Sequence, residues 1–311
     1  VAEAPADRLQ HAQRLVDDLG TDAVAAEDGD AVVHGRSVPG RDGCWKLEAG
    51  RWMAYAHGTM ATIKLATLNV FNRMGQWGMR APLLIEQLEE LRPDVLAIQE
   101  VDLVLDQGMW ISRQINKRLA GEPHYRIKHA TNPDTRASYH AIGALSRVGF
   151  DEHEVLDLMT FERVAQRFVF KCGDRPFVFV NTHLHFPPEA RQERVDQLNY
   201  LLAWLNRDSR RLPTVIAGDF NAYAEPPEPA VTLMKSRFRS AYEAVHGREP
   251  EKTWTTPVNT YDPAPHGTLD YIFVSPEFRV VDAGLAFDRP SPLDPNLYPS
   301  DHLGLYAVVE L

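Results

Sequence analysis

The sequence predicts a layered α/β or α+β domain, on three observations. Beyond residue 60, short apolar runs of strand length alternate with stretches whose apolar residues recur at helical spacing. At least one run, 95–98, is apolar at every position, as expected of a strand buried on both faces. Proline-rich loops, notably 225–229 and 288–299, separate the elements. Length and composition agree: 311 residues, 44% apolar and 24% charged, can bury a sizeable core, and they disfavour disorder, a collagen-like repeat or a coiled-coil rod.

Residues 1–60 differ in texture, with Ala- and Asp-rich runs and scattered glycines. Leu9, Ala12, Val16 and Leu19 recur at helical spacing before Gly20, and Trp45, Leu47, Trp52 and Tyr55 suit a short hairpin or a docking segment. The expectation is an N-terminal appendage at 1–60, dispensable for chemistry, and a main domain at 61–311. In that domain 63–70 reads as a strand. Leu84, Leu88 and Leu91 then share one face of a helix that should stop at Arg92, because Pro93 disfavours helical geometry in the residue before it. Residues 95–98 form the next strand and 177–180 another. A helix after Pro187 and Pro188 follows, with Val195, Leu198, Leu202 and Leu205 on one face. Residues 215–217, 272–274 and 305–309 complete the strands.

With 43 acidic against 33 basic side chains, the net charge of -10 lacks the broad basic footprint of a nucleic-acid coat protein. That balance favours a small or head-group substrate over a long nucleic acid. Arg207, Arg210 and Arg211, the densest basic cluster, read as the cap of a helix C-terminus, where cations oppose the macrodipole. No apolar stretch reaches the roughly 20 residues that cross a bilayer, and no basic segment followed by an apolar run opens the chain, so a cytoplasmic location is the default. Cys44 and Cys172 are too few for a disulfide framework or a cysteine-based zinc site, though one bridge between them is open. Trp77, Trp110, Trp204 and Trp254 read as core or cleft wall.

Reactive side chains collect where the strands end. Asn69 follows the first strand's core, Gln99 and Glu100 follow Ile98, Asn181 and His183 follow Val180, and Asp219 and Asn221 follow Ala217. Asp270 precedes Tyr271, while Ser300, Asp301 and His302 precede the last strand. Polar groups delivered by several elements to one end build a cleft across a sheet. Asp219 and Asn221, two apart, point the same way if strand geometry continues, and Gly218 admits close backbone approach. Glu100 ends a buried strand, where a charge needs either an arginine or a hard divalent cation. Asp270 can hold one nitrogen of His302 and leave the other to exchange a proton with water. His183 and His185 share a strand face, but no third nitrogen or sulfur ligand stands at a zinc spacing. No G-x-S-x-G elbow, Walker A loop or G-x-G-x-x-G fingerprint is present.

Six short segments in order, Leu68-Asn69-Val70, Ile98-Gln99-Glu100, Asn181-Thr182-His183-Leu184, Gly218-Asp219-Phe220-Asn221, Leu269-Asp270-Tyr271-Ile272-Phe273 and Ser300-Asp301-His302, resemble the motifs of the endonuclease/exonuclease/phosphatase superfamily. The resemblance covers 62–311. It implies a four-layered α/β/β/α sandwich, two packed mixed sheets with helices outside, and metal-dependent hydrolysis of phosphoester bonds. Carried over by motif, Glu100 resembles the principal ligand of Mg2+ (or Mn2+), with Asn69 and Asp301 beside it. Asp219 resembles the residue that positions or deprotonates the attacking water, and Asn221 a donor to the phosphate. His302, oriented by Asp270, resembles a general base or transition-state contact, and His183 a second phosphate-binding histidine.

The implied partner is a phosphoester: nucleic acid, lipid head group or small phosphate ester. Nothing points to a protein partner. The arginine that often precedes the Asp-Tyr pair in abasic-site endonucleases is replaced by Thr268-Leu269, the W-C-D-R element of inositol phosphatases is absent, and Ile142 stands where an asparagine is common. The competing reading is a catalytically silent binding or scaffold domain on the same fold; retention of all six motifs argues against it.

Overall fold

The structure, a computed structural model, describes residues 61–119, 121, 123–132, 141–260 and 266–311. The chain divides into Val1–Thr59 and Met60–Leu311, and the described residues belong to the second unit. The helix and hairpin expected within 1–60, and Cys44, lie outside them.

In chain order the elements are β1 (Thr62–Asn69), α1 (Trp77–Leu91), β2 (Val95–Val101), α2 (Gln107–Arg118), β3 (Arg126–Ala130), β4 (Ala141–Ser146), β5 (Glu152–Asp157), β6 (Val164–Cys172) and β7 (Arg175–His183). Then come α3 (Arg191–Leu205), β8 (Thr214–Asp219), α4 (Pro229–Lys235), β9 (Arg239–Ser240), α5 (Ala241–His246), β10 (Asp270–Val274), β11 (Arg279–Ala286) and β12 (Gly304–Glu310). They build two six-stranded sheets, ordered β11-β12-β1-β2-β4-β3 and β5-β6-β7-β8-β10-β9.

Each sheet holds one parallel pair, β1/β2 in the first and β7/β8 in the second, while the other pairings are antiparallel. A parallel pair needs a crossover, supplied by α1 and α3 respectively. Parallel strands finish at the same edge of a sheet, and an antiparallel neighbour starts there. Asn69 therefore pairs with Gln99, and His183 with Asp219, which faces Asp270 at the start of β10.

Apolar residues fill three interfaces, which makes four layers. Leu65, Val95, Phe168, Phe170, Phe177, Phe179, Val215 and Ile272 pack between the sheets. Leu84, Ile85 and Leu88 of α1 and Ile111 and Ile115 of α2 cover the first sheet at Leu68, Leu96 and Leu145. Leu198, Leu201 and Leu202 of α3 and Val231 and Met234 of α4 cover the second at Val178, Val180 and Ile216. Each fully buried aliphatic contributes about 1.5–3 kcal/mol. α1 ends where Pro93 predicts, with Arg92 in the left-handed region at φ 47°.

Several strands escape the sequence reading for identifiable reasons. β5 and β11 are edge strands with few buried residues, none in β5 and only Ala283 and Ala286 in β11, so no buried apolar run marks them. β6 is buried almost throughout, but Gln166 and Arg167 interrupt its apolar pattern. The arginine cluster also departs from expectation: the last turn of α3 holds no basic residue, and Arg210 instead bridges Glu152 and Asp208. Cys172 is a buried free thiol. Trp77 and Trp110 meet edge to face at 5.6 Å beneath the first sheet's helices.

Candidate active site

The shared strand edge brings Asn69, Glu100, His183, Asp219, Asp270, Asp301 and His302 together. Their convergence is a product of topology, since six of the chain's segments reach that edge from both sheets. Gly218 makes the closest packing possible: at φ 146°, a Cβ there would lie 1.9 Å from the Thr182 carbonyl oxygen of β7.

Asp219 is the centre of the constellation. Its Oδ2 accepts a hydrogen bond from Asn69 Nδ2 at 3.0 Å, and it faces His183 Nε2 at 3.5 Å and His302 Nε2 at 3.8 Å. Burial raises the Asp219 carboxyl to about 6, with the neighbouring Asp270 charge adding to the shift. His302 Nδ1 lies 2.8 Å from Asp270 Oδ2. Burial alone would lower His302, but the carboxylates of Asp270, Asp301 and Asp219 outweigh it and raise the imidazole well above its ordinary value. The surrounding carboxylates thus favour the protonated imidazole of His302, which is turned toward Asp219 through Nε2.

His183 is set differently. Arg163 NH1 stands 3.0 Å from its Nδ1, and a guanidinium can only donate, so Nδ1 accepts and the proton resides on Nε2. His183 thus presents an N–H toward Asp219. Arg163 is itself buried beside the site and carried no sequence signal, since it follows an exposed turn.

Glu100 bonds to Asn69 Nδ2 at 3.2 Å, and among the described residues no arginine or lysine pairs with it. Burial raises its carboxyl, as it raises Asp301 to about 6. Half-buried Glu100 and buried Asp301 thus lie close enough to repel one another, and no ion pair relieves either among the described residues. Asn69 stands between the acids: its Oδ1 accepts from the Phe71 N–H at 2.9 Å, and its amide meets Glu100 and Asp219 as a donor. The side-chain oxygen is turned to the backbone and away from the acids.

Strand pairing stops at Asp219, and Asn221 sits at φ 50°, its N–H returning to Asp219 Oδ1 at 2.9 Å and its Nδ2 donating to the Leu184 carbonyl at 3.1 Å. The two side chains therefore do not continue one strand face; they form an Asx turn. Gln99 and Asn181 are ties between the sheets rather than cleft groups: Gln99 Nε2 donates to Asn181 Oδ1 at 2.8 Å, and Asn181 Nδ2 donates to the Ile98 and Gly143 carbonyls.

Arg80 is a missed residue with a readable signal. It stands four residues before Leu84 and eight before Leu88, on the buried stripe of α1. Fully buried, it donates to the carbonyls of Val70, Phe71, Asn72, Met74, Gly75 and Pro299. It thereby ties the loop after Asn69 to the segment that leads into Ser300, Asp301 and His302. Asn259, which donates to Asp301 Oδ2 at 3.3 Å, had no such signal.

The profile of the Endonuclease/Exonuclease/phosphatase family matches residues 66–302. Nocturnin of Xenopus laevis is 28% identical over 252 residues, covering 74% of this chain and 64% of the relative. The chain thus spans less than two thirds of the length of that curated relative. The human Nocturnin catalytic domain with bound sulfate superposes with a TM-score of 0.62 at 23% identity, over 80% of this chain and 94% of that one. TDP2 of D. rerio, complexed with single strand DNA product, gives 0.62 at 21% identity, over 80% and 99%. At these identities the structural likeness bears on fold: two packed, mixed six-stranded sheets.

Proposed function

The chain belongs to the endonuclease/exonuclease/phosphatase family, and on that premise we propose that it hydrolyses a phosphoester by in-line attack of a water oriented at Asp219, in a divalent-metal-dependent reaction. The observation that carries the reading is the meeting of three groups on one carboxylate oxygen: Asn69, His183 and His302 all address Asp219 Oδ2. A carboxyl raised to about 6 is poised to take a proton near neutral pH.

In this scheme Asp219 orients the water and accepts its proton as the oxygen attacks phosphorus and the opposite P–O bond breaks. His183 donates a hydrogen bond from its Nε2–H to a nonbridging oxygen. His302, held by Asp270 and favoured in its protonated form by the carboxylates around it, meets the negative charge that develops on the phosphoryl group. Asn221 shapes Asp219 through the turn it closes, and Asn69 positions Asp219 and Glu100.

A divalent cation fits the acids. Glu100 and Asp301 are oxygen donors, raised by burial and without ion-pair partners among the described residues, which is the donor chemistry of Mg2+ or Mn2+. Asp219, Asp270 and His302 also lie within 4.8 Å of one another, but Asp270 and His302 are committed to each other at 2.8 Å, so Glu100 and Asp301 are the better pair. When bound, the metal supplies positive charge to the phosphoryl oxygens.

The test is release of product from a generic phosphodiester with and without EDTA, followed by restoration with Mg2+ or Mn2+ and a substrate panel of nucleic acids, nucleotides, sphingomyelin and inositol phosphates. Nucleic acid is on that panel because TDP2 of D. rerio, a structural neighbour, is complexed with a single strand DNA product. No turnover on any member with either metal would refute the proposal.

A further inference from the structure

We infer that the turn between β5 and β6 and the start of the loop after β7 form a stacking platform for one nucleobase beside the scissile phosphate, an inference that rests on the phosphoester reading above. Phe161 lies flat on His185, with ring centroids 3.5 Å apart and planes within 1°. His185 is buried, so Phe161 covers it and turns its other face outward, 54% exposed. Phe186, 59% exposed, stands at 68° to the His185 ring and therefore steeply to Phe161 as well. Both exposed rings pack on His185 and leave apolar faces open beside it.

The turn is held in place by specific contacts. Met159, Phe161 and Glu162 all have positive φ, at 65°, 55° and 58°, a conformation that L-residues adopt at a cost and that clusters at functional sites. Gln197 of α3 clamps both halves, donating from Nε2 to Thr160 Oγ1 at 2.9 Å and accepting the His185 N–H at 3.0 Å. Leu158 and Arg163 close the turn through a backbone bond of 2.8 Å. Exposed aromatic surface on so fixed a turn is a poor use of two phenylalanines unless something covers them.

The platform adjoins the reaction centre through both of its segments. Arg163, two residues after Phe161, reaches His183 at 3.0 Å, and His185 lies two residues beyond His183. Charges of both signs surround it, Glu162, Glu189 and Glu193 against Arg163 and Arg194, and the two arginines are engaged with His183 and Glu228. With both arginines so engaged, the surroundings fit a neutral, flat group docked singly rather than a long polyanion lying across the surface. An exposed flat face backed by a stacked ring suits a planar heteroaromatic ring, whereas a quaternary ammonium is held by rings on several sides.

The test compares the full chain with Phe161→Ala and Phe161→Trp on a short single-stranded oligonucleotide, the same oligonucleotide made abasic throughout, and glycerophosphocholine. Stacking of one base should favour the intact over the abasic strand in kcat/KM by roughly fivefold to a hundredfold. Phe161→Ala should collapse that ratio, mainly through KM, and Phe161→Trp should restore it. Because Phe161 is half exposed, the variant should keep its melting temperature. An unchanged ratio in Phe161→Ala, or glycerophosphocholine as the preferred substrate, would overturn the platform. Binding read by 2-aminopurine fluorescence in a tetranucleotide separates this from failure of the hydrolase reading. Quenching by the wild type that is lost in Phe161→Ala supports the platform even without turnover, and quenching that persists in the variant refutes it.

Discussion

Replacing Asp219 by Asn and His302 by Ala, singly and together, tests whether they act on one water in one transition state. His302 Nε2 lies 3.8 Å from Asp219 Oδ2, and Asp219 carries the carboxyl that burial raises to about 6. A positioned acid or base contributes about 10²–10⁴ to rate, or about 2.7–5.4 kcal/mol of barrier. Independent action would multiply the two losses to about 10⁴–10⁸. Shared action predicts a double variant within about tenfold of the weaker single variant, a coupling of at least about 1.4 kcal/mol. The assay is single-turnover hydrolysis of a diester at saturating Mg2+. Asp219→Asn is isosteric and removes a buried charge, so its melting temperature should hold and a folding defect should not mimic the result. Losses that multiply across the two sites would refute the shared centre.

Glu100→Gln should raise the Mg2+ concentration needed for half-maximal turnover by about tenfold or more, since a half-buried carboxylate without an ion pair contributes charge rather than packing; thermal shift with and without Mg2+ provides a second readout, and unchanged activation at limiting metal would remove Glu100 from the metal site. Gly218→Ala should cost at least about 3 kcal/mol through left-handed strain and contact with Thr182, lowering Tm by roughly 6–12 °C in a domain of this size; a shift under about 2 °C would show that β7 and β8 can separate. Hydrogen bonds from Arg210 hold the Glu152 and Asp208 carboxyls down at about 2. Their folded values lie below the unfolded ones, so the contribution is complete above about pH 4 and is lost as pH falls through about 2. Arg210→Met should cost only about 1 kcal/mol at pH 7, because the network is partly exposed and screened. The gap in urea midpoint to the wild type should narrow below pH 4; a gap independent of pH would assign the loss to packing.

The central strands were legible because each is an apolar run ending in polar residues. The Asp270–His302 pair was legible because the two residues bracket strands that start at one edge. What could not be read is whatever depends on which way a side chain turns once the chain has folded. Asn69 looks like an oxygen donor in sequence, and only the Phe71 N–H reveals that its amide is reversed toward the acids. Asn221 looks like a strand residue until the backbone enters the left-handed region. Gln99 and Asn181 share the strand-end pattern of true cleft groups, yet the facing sheet takes up both amides. Edge strands β5 and β11 lack the pattern, since few of their residues are buried.

Arg80 has a counterpart in Arg194, which stands four residues before Leu198 on the buried stripe of α3 and donates to the carbonyls of His185, Pro187 and Pro188. Each crossover helix thus grips the loop that enters it through one guanidinium set among apolar neighbours. A buried arginine so occupied has no cheap intermediate state, because withdrawing it strands several carbonyls and a charge at once. The loops at the mouth of the cleft should then open with their helices as cooperative units rather than flap on their own. In amide hydrogen exchange, the segments following Asn69 and His183 would share the protection of the helices behind them, and plasticity toward different substrates would fall to surfaces outside these two grips.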